Sequence, residues 1–236
     1  MKPHTTHPTN ACTTITHVTD TTPNPFIIGI DEVGRGSLFA HLSVAGVVLP
    51  SDLTGNFDSL DLSQSPLSTL NDSKQLSPKK RENLFTPIKQ LACTYAIIDV
   101  PHGVIDEIDV YQATLLGMRL ASEMLLAHYA PDPQNTKVLI DGNALPTLSA
   151  DFAHYQPCLV PIIKGDATHS TIACASILAK VHRDRQMIDY DKQYPDYGLA
   201  SNKGYASAKH RSAISELGVL PEHRRSFEPI KSLLQH

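Results

Sequence analysis

Short apolar runs closed by turn-forming residues alternate with stretches whose apolar positions recur every three or four residues. Residues 26–30 (Phe-Ile-Ile-Gly-Ile), 43–49 and 93–100 are rich in β-formers and predict strands, the second closed by Pro50. Residues 137–140 and 158–163 predict two more, running into Asp141-Gly142-Asn143 and Lys164-Gly165-Asp166. Ser77-Pro78 before Lys79-Lys80-Arg81-Glu82 is a helix start, with serine as cap and proline in the first turn. Beyond Gly103, Val104, Ile108, Tyr111, Leu115, Met118, Ser122, Leu125 and Tyr129 define a single long helix burying that face, stopped by Pro131 and Pro133. Further helices are predicted over 171–190, with an Ala175, Ser176, Ala179 face, and over 207–217.

This order predicts an α/β domain on a mixed sheet, covering 25–236, with a small helical C-terminal extension from about 195. Residues 51–70, strewn with Ser, Asp, Gly and Pro, read as an irregular surface insertion. Residues 1–24, rich in Thr and Pro, read as a disordered extension; they lack the apolar core of a secretory signal, and a cytoplasmic location is expected.

Composition narrows the function classes. With 41% apolar and 19% charged residues, the chain is an ordinary globular sequence, and no apolar run approaches the roughly 18 residues that span a bilayer. Cys12, Cys93, Cys158 and Cys174 lack zinc spacing, and Cys93 and Cys174 lie in apolar runs, so buried free thiols are expected. The net charge of −4 is unevenly spread. Residues 1–150 carry 9 Lys+Arg against 15 Asp+Glu (−6) and residues 151–236 carry 11 against 9 (+2), so a locally basic groove is compatible with an acidic whole.

The chemistry gathers at strand ends. Asp31-Glu32 follows the first strand, and Asp141 and Asp166 close two others, each beside glycine. Adjacent carboxylates at the end of a buried strand repel and lose hydration, which a divalent cation relieves. Acids converging from separate strands form a hard-oxygen site suited to Mg²⁺ or Mn²⁺, and two such ions serve phosphodiester cleavage. Gly34-Arg35-Gly36 adds backbone open to close approach and a forked cation suited to phosphate. Each acid has a plainer reading: Asp141 as a turn former, Asp166 as a favourable charge before a helix that Thr168 or Ser170 caps. Neighbouring strand residues point to opposite faces, so Asp31 and Glu32 share one site only if the backbone kinks. His210 and His223, in basic stretches, are expected at the surface. Lys180 reads as a helix residue paired with Asp184, and Arg224-Arg225 as a nucleic-acid contact or a lock on the C-terminus. No G-x-x-x-x-G-K-[ST], G-x-G-x-x-G or G-x-S-x-G pattern supports a nucleotide-binding protein or a serine hydrolase.

The chain resembles the ribonuclease HII family. Asp31-Glu32-Val33-Gly34-Arg35-Gly36, Asn71-Asp72-Ser73-Lys74-Gln75-Leu76-Ser77, Asp141-Gly142-Asn143, Lys164-Gly165-Asp166, the block from Ala175 to Val181 with Arg183-Asp184, Lys203-Gly204-Tyr205 and His223-Arg224-Arg225-Ser226-Phe227 match its motifs in order, over about 26–232. The resemblance implies a ribonuclease H-like fold and a monomer. It further implies metal-dependent cleavage of the RNA strand of RNA–DNA hybrids, and at single ribonucleotides in duplex DNA, leaving 3′-hydroxyl and 5′-phosphate ends. Asp31, Glu32, Asp141 and Asp166 would be catalytic and hold the metal. Gly34, Arg35, Gly36 and Tyr205 would read the 2′-hydroxyl at the RNA–DNA junction, with Asp72, Ser73, Lys74, Ser176 and Lys203 also near substrate. An inactive hybrid-binding protein of the same fold is the alternative. Ser37-Leu38-Phe39-Ala40-His41-Leu42 departs from the proline and small residues usual after Gly-Arg-Gly, and Asn202 stands where histidine commonly precedes Lys-Gly-Tyr.

Overall fold

The computed structural model describes residues 25–71 and 73–235; the expectations for 1–24, including Cys12, and for Asp72 lie outside them. Strands β1 (Phe26–Val33), β2 (Leu42–Val48), β3 (Thr94–Val100), β4 (Thr136–Asp141) and β5 (Leu159–Ile162) form one mixed sheet in the order β3-β2-β1-β4-β5. β1 pairs antiparallel with β2 and parallel with β4, so it lies in the middle with both edges occupied. All five predicted strands are present, and the structural neighbours described below share this α/β architecture.

Helices α1 (Pro78–Leu91), α2 (His102–Ile108), α3 (Val110–Tyr129) and α4 (Ser170–Gln193) cover the sheet. Ser77 caps α1 as its sequence suggests, accepting from the Lys80 N–H. Ile28, Ile30, Val44, Val138 and Ile140 face α3 in one core, while Ala45, Val47, Ile97 and the small residues of α4 fill the other. A Cβ on Gly29 would lie 2.4 Å from the Thr171 carbonyl carbon, so only glycine lets α4 cross β1 this closely. That crossing places Ser176 beside the end of β1.

Three expectations need correction. The single helix from Gly103 is two helices, broken at Asp109, whose backbone turns to φ 66° and whose carboxylate accepts from the Tyr111 and Gln112 N–H groups to cap α3. The buried face of α3 keeps the expected Met118, Ser122 and Leu125 but is turned toward Ala113, Gly117 and Ala121, leaving Tyr111 exposed, because small residues let the helix lie close on the sheet. Residues 51–70 are irregular but not a surface insertion, since Leu53, Leu62, Leu67 and Leu70 are buried in the second core. Cys93, Cys158 and Cys174 are buried and form no disulfide among the described residues.

The C-terminal part holds α5 (Leu199–Asn202), α6 (Ala208–Leu217) and α7 (Ile230–Leu233). Leu38, Phe39 and Ala40 pack with Met187, Tyr197, Leu199, Ile214 and Ile230 in a third cluster. The unusual Leu38-Phe39-Ala40 run is thus the apolar plug that fastens the loop after β1 to the C-terminal helices.

Candidate active site

β1 and β4 stay paired only as far as Ile30 and Ile140, while β1 continues to Val33. Asp31 and Asp141 share the α4 face of the sheet. Glu32 leaves the opposite face without any kink in the β1–β2 register, yet Asp31, Glu32 and Asp141 bring carboxylate oxygens within 4.8 Å of one another. The missing partner beyond Ile30 leaves the strand edge open, and the longer Glu32 side chain reaches past it. Convergence therefore comes from side-chain length at a strand end, not from a kink of the strand.

The electrostatics are those of a crowded, half-dry acid site. Burial pushes Asp31 well above the usual carboxylate range, and the charges of Glu32 and Asp141 push it further; a hydrogen bond from Ser176 and the Glu32 N–H at 2.7 Å oppose this. Burial likewise raises Glu32, against the pull of Arg35, whose Nη1 lies 3.5 Å from Glu32 Oε1. Burial raises Asp141 too, although the Gly165 N–H donates to its Oδ1 at 2.7 Å. Three hard oxygen donors that repel one another fit Mg²⁺ or Mn²⁺.

Asp166 is placed beside this trio but is not one of it. Its side chain, 2% exposed, is engaged by Lys74 Nζ at 2.9 Å. Ser73 Oγ and Ser176 Oγ lie 2.8 Å apart, linking the Lys74 turn to α4 next to Asp31. Ser176, on a face whose sequence reads as close helix packing, is thus both packed and at the site. The helix cap expected from Thr168 or Ser170 is absent: Ser170 accepts instead from the Gly55 N–H, and Thr168 Oγ1 donates to backbone carbonyls.

The remaining predicted substrate residues come together a short way off. Ser37 and Tyr205 form a β-bridge, and the Leu38 N–H donates to the Gly204 carbonyl at 2.8 Å. This sets Gly34, Arg35 and Gly36 beside Lys203 and Tyr205, with Gly36 3.8 Å from the tyrosine ring when given a Cβ. Tyr205 and the Arg35 side chain are both partly exposed.

Two residues that hold this loop were not singled out as such by sequence reasoning. Arg183 is fully buried and donates to His41 O, Lys203 O, Ser37 Oγ and Phe39 O. Arg224, also fully buried, donates to Ala40 O, Arg35 O and His41 O, so it locks the loop after β1 rather than meeting solvent. Neither forms an ion pair among the described residues, and burial next to Arg183 pushes Arg224 down to about 9. Gly34, at φ +94°, has room for no side chain, because a Cβ would lie 2.4 Å from Arg183 Nε.

His210 and His223 are not at the surface. Both are fully buried, with Nε2 atoms 3.2 Å apart, and burial lowers His210 and brings His223 to about 4. The Leu220 N–H donates to His223 Nδ1 and Tyr205 O lies 3.0 Å from His210 Nδ1, so two neutral rings in fixed tautomers satisfy one chain of bonds. Lys180 pairs with Asp184 at 2.6 Å as its spacing suggests.

The chain is also similar to known proteins of one family. A family profile described as Ribonuclease HII matches residues 28–230. A Ribonuclease HII of Psychrobacter sp. (strain PRwf-1) is 45% identical over 240 residues, covering 89% of this chain and 80% of its own. One from Acinetobacter baylyi is 41% identical over 208 residues, covering 88% of this chain and 97% of its own. Among solved structures, the ribonuclease H2 of Pyrococcus horikoshii OT3 superposes with a TM-score of 0.67 at 23% identity, covering 89% of this chain and 97% of that one, which is a likeness of fold.

Proposed function

The chain belongs to the ribonuclease HII family and is a ribonuclease H, and from this we propose a divalent-metal-dependent endonuclease acting on the RNA strand of RNA–DNA hybrids and at ribonucleotides embedded in duplex DNA. The observation that carries the reading is the meeting of Asp31, Glu32 and Asp141 oxygens within 4.8 Å at one strand end, beside a loop and a tyrosine suited to a sugar. We assign the metal ligands to these three, with Asp166 alongside. Divalent ions there would supply an activated water and charge stabilisation for the leaving oxygen, giving 3′-hydroxyl and 5′-phosphate ends.

The protein's own part is positioning. The Gly34–Gly36 backbone, held from beneath by Arg183 and Arg224, offers polar groups to the 2′-hydroxyl that separates ribose from deoxyribose. Tyr205 offers a ring face to the next sugar. Ser73, Lys74 and Lys203 are assigned to the backbone phosphates, whose contacts fix register without reading sequence. No helix of the described residues is long and apolar enough to cross a membrane, and the chain is proposed to act as a cytoplasmic monomer.

Tyr205→Ala separates junction reading from general catalysis. Losing a stacking ring forfeits roughly 1–3 kcal/mol on the scale of base–aromatic contacts. The expected loss in kcat/KM is therefore about tenfold to hundredfold on duplex DNA holding one ribonucleotide, and clearly less on a continuous hybrid. Equal losses on both substrates would assign Tyr205 to general binding.

A further inference from the structure

Lys74 is an exposed arm on a fixed base. Its turn is clamped by the largely buried Arg81, whose Nη1 donates to Ser73 O at 2.8 Å and Leu76 O at 2.5 Å, and by the Ser73–Ser176 contact. The side chain itself is 76% exposed, yet its ammonium reaches the 2% exposed carboxylate of Asp166 at 2.9 Å. Asp166 is the acid left out of the converging trio, although it adjoins Asp141 through Gly165. A cation on a flexible stem thus stands where a fourth acidic ligand would otherwise face the metal site. The ammonium is also drawn by Asp31 and Asp141.

We infer that Lys74 serves as a stand-in cation beside Asp166 and gives it up when a nucleic-acid phosphate takes the ammonium, so that Asp166 joins the metal site only with nucleic acid bound. The inference rests on the metal reading above. Its physics is exchange between comparable partners: an ion pair with a mostly exposed lysine is worth roughly fivefold or less, so a phosphate competes for it readily. Linkage makes the effect mutual, since nucleic acid that frees Asp166 raises affinity for a second ion by the same factor as that ion raises affinity for nucleic acid. A nuclease built this way completes its metal site on substrate rather than in free solution.

Calorimetric titration of Mn²⁺ into the metal-free full chain tests this without an activity readout. The unaltered chain should take up one ion and bind a second weakly. Lys74→Met should bind the second about two- to fivefold more tightly, and Lys74→Arg should behave like the parent. A short DNA duplex without ribonucleotides should tighten the second ion by a similar factor in the parent and not in Lys74→Met. Lys164→Met, which removes an exposed charge nearby, should leave the second binding event unchanged. Identical titrations for the parent and Lys74→Met would overturn the inference, as would an equal gain from Lys164→Met, which would reduce the effect to overall charge. Failure of the parent to bind any Mn²⁺ would overturn the metal reading and the inference together.

Discussion

Asp31→Asn should lower hybrid cleavage at least about a thousandfold, equivalent to about 4 kcal/mol of transition-state stabilisation, while raising the melting temperature of the metal-free protein. The two effects have one origin. Asp31 is 4% exposed and its pKa is raised by burial and by Glu32 and Asp141, so its folded-state pKa lies above its unfolded value. A carboxyl of this kind lowers stability progressively as pH rises through the window from the unfolded to the folded pKa. Asparagine removes the charge yet keeps an oxygen to accept from the Glu32 N–H. For a chain of this size each kcal/mol recovered is worth about 2–4 °C, and the gain should vanish at acid pH, where the parent carboxyl is already protonated. Thermal melts at several pH values with chelator present, together with initial rates at saturating Mg²⁺, check both halves. A stabilised variant that cuts normally would remove Asp31 from the metal site.

The second large effect belongs to Arg183. Arg183→Met should lower the melting temperature by roughly 6–12 °C, from a loss of about 3 kcal/mol. The figure is smaller than four buried bonds suggest because Phe39 O also accepts from Ser37 and His41 O from Arg224, and because a buried cation's desolvation cost disappears. Lysine at this position supplies a charge without the planar fork that spans Ser37, Phe39, His41 and Lys203, so Arg183→Lys should recover less than half of the loss. Differential scanning calorimetry of the three proteins decides it. A change below 2 °C for methionine would mean that the loop holds its shape without the guanidinium.

The strands and most helices were legible because their signals are local. Apolar runs ended by Pro50, Asp141-Gly142 and Lys164-Gly165 coincide with the ends of β2, β4 and β5 to within one or two residues, and Ser77-Pro78 marks α1. The break at Asp109 was not legible, since apolar spacing continues across a single residue that adopts a positive φ. The burial of Leu53, Leu62, Leu67 and Leu70 escaped notice because irregular backbone gives leucines no period to reveal their face. At the site, the acids stood out by chemistry, but the route that unites Asp31 and Glu32 depends on where β4 stops pairing. The buried Arg183, Arg224, His210 and His223 look like surface residues in sequence because their partners are backbone atoms, a serine hydroxyl or each other, which leave no pattern of opposite charge.

The proposed function rests on metal-dependent recognition of ribose. The most direct measurement incubates the purified chain with a DNA duplex holding one ribonucleotide, an otherwise identical all-DNA duplex and a continuous RNA–DNA hybrid. Each is assayed with Mg²⁺, with Mn²⁺ and with chelator, and the product ends are identified. Cleavage of the two ribose-containing substrates only, with either ion, leaving 3′-hydroxyl and 5′-phosphate ends and none with chelator, is the predicted result. Cleavage that persists in chelator, or equal cutting of the all-DNA duplex, would contradict it.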